Sequence, residues 1–171
     1  MTKNFFFAAM AAVALVFGFT SCSKDDDDEV EKTPVTVKLD MEAQMNETIK
    51  SLCDLNVTYS ITVADGRTAE KTVTANSGLY INNLECPCTM TFNYSFAPKK
   101  DVTINEAQTY TLEYGPSFTV ESSTNSIVMR GTKQSITIDG SKLKAYLDRI
   151  CERVHEITFT VDKEGSISVK E

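Results

Sequence analysis

The chain has 171 residues, 24 acidic against 17 basic side chains, a net charge of −7, one histidine and no tryptophan. That balance excludes a nonspecific nucleic-acid binder, which needs a basic footprint. The length allows one domain with appendages, and a domain of this size buries roughly 70% of its unfolded surface without help from a metal or a disulfide.

Lys3 opens the chain with a positive charge, and Phe5 to Phe17 forms an unbroken apolar run. Gly18, Phe19, Thr20 and Ser21 follow, giving the charged, apolar and small-residue order of a secretory signal over residues 1–21. The alternative, a membrane span, is short. Residues 4–21 include Asn4, Thr20 and Ser21, whereas a span needs ~20 predominantly apolar residues.

Phe19-Thr20-Ser21-Cys22 resembles the lipobox of bacterial lipoproteins, with Phe19 where Leu is usual. The resemblance implies cleavage before Cys22 and a lipid on its sulfur. One acyl chain anchors only marginally, but each buried CH₂ adds about 0.8 kcal/mol, so two or three chains make a near-permanent tether. Ser23, Lys24, Asp25, Asp26, Asp27 and Asp28 come next. As a charge run, residues 22–32 read as a self-repelling linker. The run also resembles the acidic export signal of Bacteroidota-type surface lipoproteins, which implies the outer leaflet of the outer membrane. A periplasm-facing anchor is the alternative.

From Thr33 onward the charge is near −4, and strict alternation of apolar and polar residues takes over. It runs through Val35–Met41, Leu55–Val63 and Cys86–Phe96, with shorter stretches at Val73/Ala75, Leu79/Ile81, Val102/Ile104, Tyr110/Leu112/Tyr114, Phe118/Val120, Ile136/Ile138, Ile157/Phe159/Val161 and Ile167/Val169. Alternation places successive side chains on opposite faces of a strand. Turn-forming clusters such as Asp65-Gly66, Gly115-Pro116 and Asp139-Gly140 separate the stretches. The pattern predicts a single all-β domain over 33–171, an antiparallel β-sandwich loosely immunoglobulin-like in architecture.

One segment has helical spacing. Residues 141–154 place Leu143, Leu147, Ile150, Cys151 and Val154 on one stripe, with Ser141 as N-cap and Arg149 and Arg153 in the last turns, where the helix dipole favours cations. This helix is expected to cover an open end or face of the sandwich. A second helical candidate, residues 46–52, fits a loop between the first two strands equally well.

Besides Cys22, Cys53, Cys86, Cys88 and Cys151 remain, and parity or stripe position turns each toward the core. They read either as buried thiols acting as small apolar groups or as core disulfides. Cys86 and Cys88 on one extended strand face would stand ~7 Å apart, at the limit of bridging. If bridges form, each of that pair is therefore expected to join Cys53 or Cys151. Redox catalysis and zinc binding fit the spacings poorly, and no metal or other cofactor is expected.

His155 lies at the helix–strand junction beside Arg153 and Glu156, without an identifiable nucleophile. No Gly-x-Ser-x-Gly and no phosphate-cradling glycine loop is present. Tyr80, between Leu79 and Ile81, is the best exposed aromatic for a ligand contact. The sequence points to a non-enzymatic, membrane-anchored binding or envelope module for a protein or glycan. A small extracytoplasmic hydrolase, or an inhibitor of one, is the alternative.

Overall fold

Alternation becomes architecture in a computed structural model that describes residues 33–131 and 133–171. The expected signal peptide, Cys22 and the acidic run from Ser23 to Asp28 lie outside the described residues.

The chain lays down strand β1 (Thr36–Ala43), helix α1 (Glu47–Leu52), and strands β2 (Cys53–Val63), β3 (Thr68–Thr74), β4 (Leu79–Glu85), β5 (Cys88–Pro98), β6 (Thr109–Tyr114), β7 (Pro116–Ser122), β8 (Ile127–Gly131) and β9 (Gln134–Asp139). Helix α2 (Gly140–Cys151) and strands β10 (Val154–Val161) and β11 (Ile167–Lys170) complete it. One sheet has the order β4-β1-β7-β8, the second β11-β10-β5-β2-β3, and a ribbon joins β6 to β9. Every pairing is antiparallel. The all-β sandwich with a C-terminal helix is therefore the fold.

Period-two patterning sets the core. In β2 the side chains of Cys53, Leu55, Val57, Tyr59 and Ile61 are buried, and in β5 those of Cys88, Met90, Phe92, Tyr94 and Phe96. The full β2–β5 ladder from Cys53↔Pro98 to Val63↔Cys88 keeps these rows on one face. Across the gap, Phe118 of β7 meets Phe92 at 5.3 Å and Phe159 of β10 at 5.7 Å between ring centroids. These aromatic contacts join the two sheets.

Tyr59 is an internal mismatch. Its ring is buried against Phe92, but its hydroxyl finds no hydrogen-bond partner among the described residues. Burial also pushes the phenol pKa up, because the anion would be desolvated. A lone buried hydroxyl costs about 1–3 kcal/mol. Tyr59→Phe is therefore expected to raise the urea midpoint, by a gain of about 1 kcal/mol at unchanged slope. A loss of stability would show that the hydroxyl has a partner after all.

Four expectations need correction. The helix starts at Gly140 rather than Ser141, with Asp139 at the cap and no capping bond from its side chain. A Cβ on Gly140 would stand within 2.1 Å of the Asn105 carbonyl oxygen, so the entry is fixed by close backbone packing instead. The helix also stops at Cys151. Val154 belongs to β10, 69% exposed, not to the apolar stripe.

Val102 and Ile104 do not form a strand. They pack against the core as half-buried side chains, and Asn105 N–H donates to the Tyr110 hydroxyl instead of to a ladder. Cys86 is not in β5. It lies with Pro87 in the turn between β4 and β5, across a cis peptide bond. The open alternative at residues 46–52 resolves as a helix, because Asn46 Oδ1 accepts from Ile49 N–H at 3.1 Å and caps α1.

Candidate ligand-binding recess

At one end of the sandwich, α2 and the β6–β9 ribbon close over β5. There the sequence places Arg149 and Ile150 three and four residues after Tyr146, on one side of the helix, and Arg153 follows just past its end. Apolar Ile150 turns into the core, and the two guanidinium groups stay exposed.

These residues wall a recess of about 210 Å³ together with Tyr114 of β6, Gln134 of β9 and His155 of β10. His155 stands opposite Tyr94 in the β10–β5 ladder and stacks on it, 5.0 Å between centroids and 15° between planes. Arg149 lies over the Tyr146 ring, 5.0 Å from its centroid.

The hydrogen bonds assign donors and acceptors. Tyr114 O–H donates to Gln134 Oε1 at 2.9 Å, which uses its only proton. The 2.6 Å contact between the Tyr114 and Tyr146 hydroxyls therefore has Tyr146 as donor. Burial, and then the bond to Tyr146, push the Tyr114 pKa well above its usual value. With Oε1 committed, Gln134 has its amide nitrogen left to donate. The two arginines add guanidinium donors, so the recess offers donors far more than acceptors.

Its charge is uncompensated. Of the four arginines in the chain, Arg67 is paired with Asp65 and Arg130 with Glu171. Arg149 and Arg153 have no carboxylate within ion-pair distance among the described residues. The nearby acids Asp148 and Glu113 are bonded to Lys144 and Lys133.

No family model matches the chain, and neither does any curated protein or solved structure with which it was compared. The site must therefore be read from its own chemistry.

Two other recesses differ in charge. One of about 300 Å³ beside Val154 and Ile157 contains the Arg130–Glu171 pair, at 3.6 Å. Another, about 500 Å³ over the four-stranded sheet, mixes Asp40 and Glu42 with Arg130 and Lys133. Tyr80 lies on that outer face, 41% exposed, opposite Asp40 in the β1–β4 ladder. The structure thus brings His155 into the cationic recess and leaves Tyr80 on the far sheet, away from it.

The cysteines sort into two pairs rather than one cluster. Cys53 Sγ lies 4.0 Å from Cys151 Sγ, where β2 begins and α2 ends. Cys86 and Cys88 hydrogen-bond to each other across Pro87. The ladder puts Cys53 opposite Pro98 and Cys88 opposite Val63, so the pairs occupy opposite ends of β2, roughly 33 Å apart. The expected bridging of Cys86 and Cys88 to Cys53 and Cys151 is therefore ruled out by distance. Parity put Cys53 and Cys88 in the core, but only the strand order shows which sulfurs meet.

Burial pushes Cys53 and Cys88 up to about 12, so both thiols are protonated at neutral pH, unlike an activated nucleophile. Among the described residues, no three His, Cys, Asp or Glu side chains gather as a metal ion would need. No helix among them is long and apolar enough to cross a membrane.

Sequence reasoning had found Arg149 and Arg153 but assigned them to the helix dipole. It missed Gln134 and the Tyr114–Tyr146 pair. The available signal was two arginines four apart, with a histidine two residues later.

Proposed function

We propose that this chain is a non-enzymatic lipoprotein, held at the outer membrane surface by lipid on Cys22, whose β-sandwich binds an extracellular protein or glycan. Its N-terminal residues support the address. The binding role is carried by one observation: Arg149 and Arg153 share an open recess without a carboxylate partner among the described residues, on a chain of net charge −7. Like charges left unpaired side by side repel, and an incoming anion relieves that repulsion.

The tether is tested by fractionation. Full-length protein is expected in the membrane fraction, and Cys22→Ala in the soluble fraction. Equal partitioning of the two would remove the lipid anchor from the account.

A further inference from the structure

The recess also indicates what kind of ligand it takes, and the inference rests on the binding role proposed above. We propose that it holds the acidic end group of an anionic glycan, a sugar ring carrying a carboxylate or a sulfate ester. At about 210 Å³ it is smaller than the ~300–1,000 Å³ pockets that engulf whole drug-sized ligands, so it fits an end group.

A guanidinium fork pairs with two oxygens of a carboxylate or of a tetrahedral oxyanion, and Arg149 and Arg153 present two such forks on one wall. Gln134 Nε2 is left as a neutral donor, because its oxygen is taken by Tyr114. Sugar hydroxyl oxygens accept such a bond. The exposed His155 ring, held by its stack on Tyr94, offers a flat surface to a sugar ring, while Tyr146 is buried beneath Arg149.

An acidic peptide fits less well. Its backbone N–H groups need acceptors, and the Tyr114 and Gln134 oxygens already accept from within the protein. The neighbouring recess is also less suited to an anion, since Glu171 neutralises Arg130.

The test uses full-length lipoprotein in detergent, titrated by calorimetry with four probes: a polygalacturonate oligomer, a sulfated oligosaccharide, a neutral glucose oligomer of equal length and a penta-aspartate peptide. Binding of one or both acidic sugars, weakened by raising the salt from 50 to 200 mM, is the expected result. The two acidic arms separate carboxylate from sulfate. Arg149→Gln and Arg153→Gln should each weaken binding by about tenfold or more, and Arg153→Lys by less, because it keeps the charge but loses the fork. Both positions are exposed, so the fold is not at stake.

Equal binding of the neutral oligomer, undiminished in the Arg149→Gln/Arg153→Gln variant, would overturn the recess assignment and leave the binding role standing. So would binding of the peptide as tightly as the sugars. Hydrolysis of a probe would overturn the non-enzymatic reading as well.

Discussion

Protein recovered from an oxidising compartment is expected to carry a Cys53–Cys151 disulfide, and its loss should be the largest single destabilisation available in this domain. The two sulfurs are already 4.0 Å apart, and a bond needs about 2 Å, so a small rotation of the side chains closes it. Cys53 is fully buried and its thiol is pushed up to about 12, whereas Cys151 is only half-buried. Cys151 is therefore the sulfur that first meets an external disulfide oxidant. It forms a mixed disulfide, and the Cys53 thiolate then displaces the oxidant's other sulfur; two protons and two electrons leave the protein in total.

The bond closes a loop of 98 residues. Constraining an unfolded chain over that length is worth about 4–5 kcal/mol on the chain-entropy account. For a domain of this size that is a thermal shift of about 10–20 °C. Non-reducing peptide mapping should recover the 53–151 linkage, and dithiothreitol or Cys53→Ala should lower the melting temperature by that amount. Mapping that finds four free thiols, or a melting temperature indifferent to reductant, would refute this. The Cys86–Cys88 pair encloses only Pro87, so a bond there closes too short a loop to stabilise comparably.

The same linkage has a consequence at the recess. Cys151 lies between Arg149 and Arg153, so fastening it to β2 fixes the end of α2 that presents both guanidinium groups. Preorganised charges bind more tightly than charges that must be ordered on contact.

How much of this could be read from the residues depended on whether a feature was local. β2 and β5 were legible because one face is buried along their whole length, so every second residue from Cys53 and from Cys88 is apolar. β8 was not. It is an edge strand with Ile127 and Met129 turned to solvent and Arg130 exposed as well, paired with Glu171 at the surface, which leaves no alternation to see. Val102 and Ile104 gave the opposite error, since spacing alone cannot distinguish two side chains tucked against a core from a strand with hydrogen-bonded neighbours.

The helix entry failed for a further reason. Capping chemistry favoured Ser141, but the 2.1 Å approach of Asn105 to a would-be Cβ at Gly140 is a contact between segments 35 residues apart. The recess is the extreme case. It is assembled from β6, β9, α2 and β10, and no sequence period links Tyr114, Gln134, Arg149 and His155. Tyr80 was correctly read as exposed because its exposure follows from its own strand's parity.

Phe92→Ala should cost about 3–5 kcal/mol, second only to loss of the disulfide. Phe92 is fully buried in the central strand of the five-stranded sheet and touches Tyr59, Phe118 and Phe159 at 5.9, 5.3 and 6.2 Å between centroids. Phe118 comes from the opposing sheet, so the ring couples the two layers as well as filling space. Truncation removes the transfer free energy of the ring, leaves a cavity that two flanking strands keep from collapsing, and forfeits aromatic contacts worth about 0.5–1.5 kcal/mol each. Urea unfolding should show the midpoint falling with little change in slope, while Met129→Ala, at a site 70% exposed, stays within about 0.5 kcal/mol of the parent. If both substitutions cost the same, the two sheets are not held together through this cluster, and the face-to-face packing would have to be sought elsewhere in the interface.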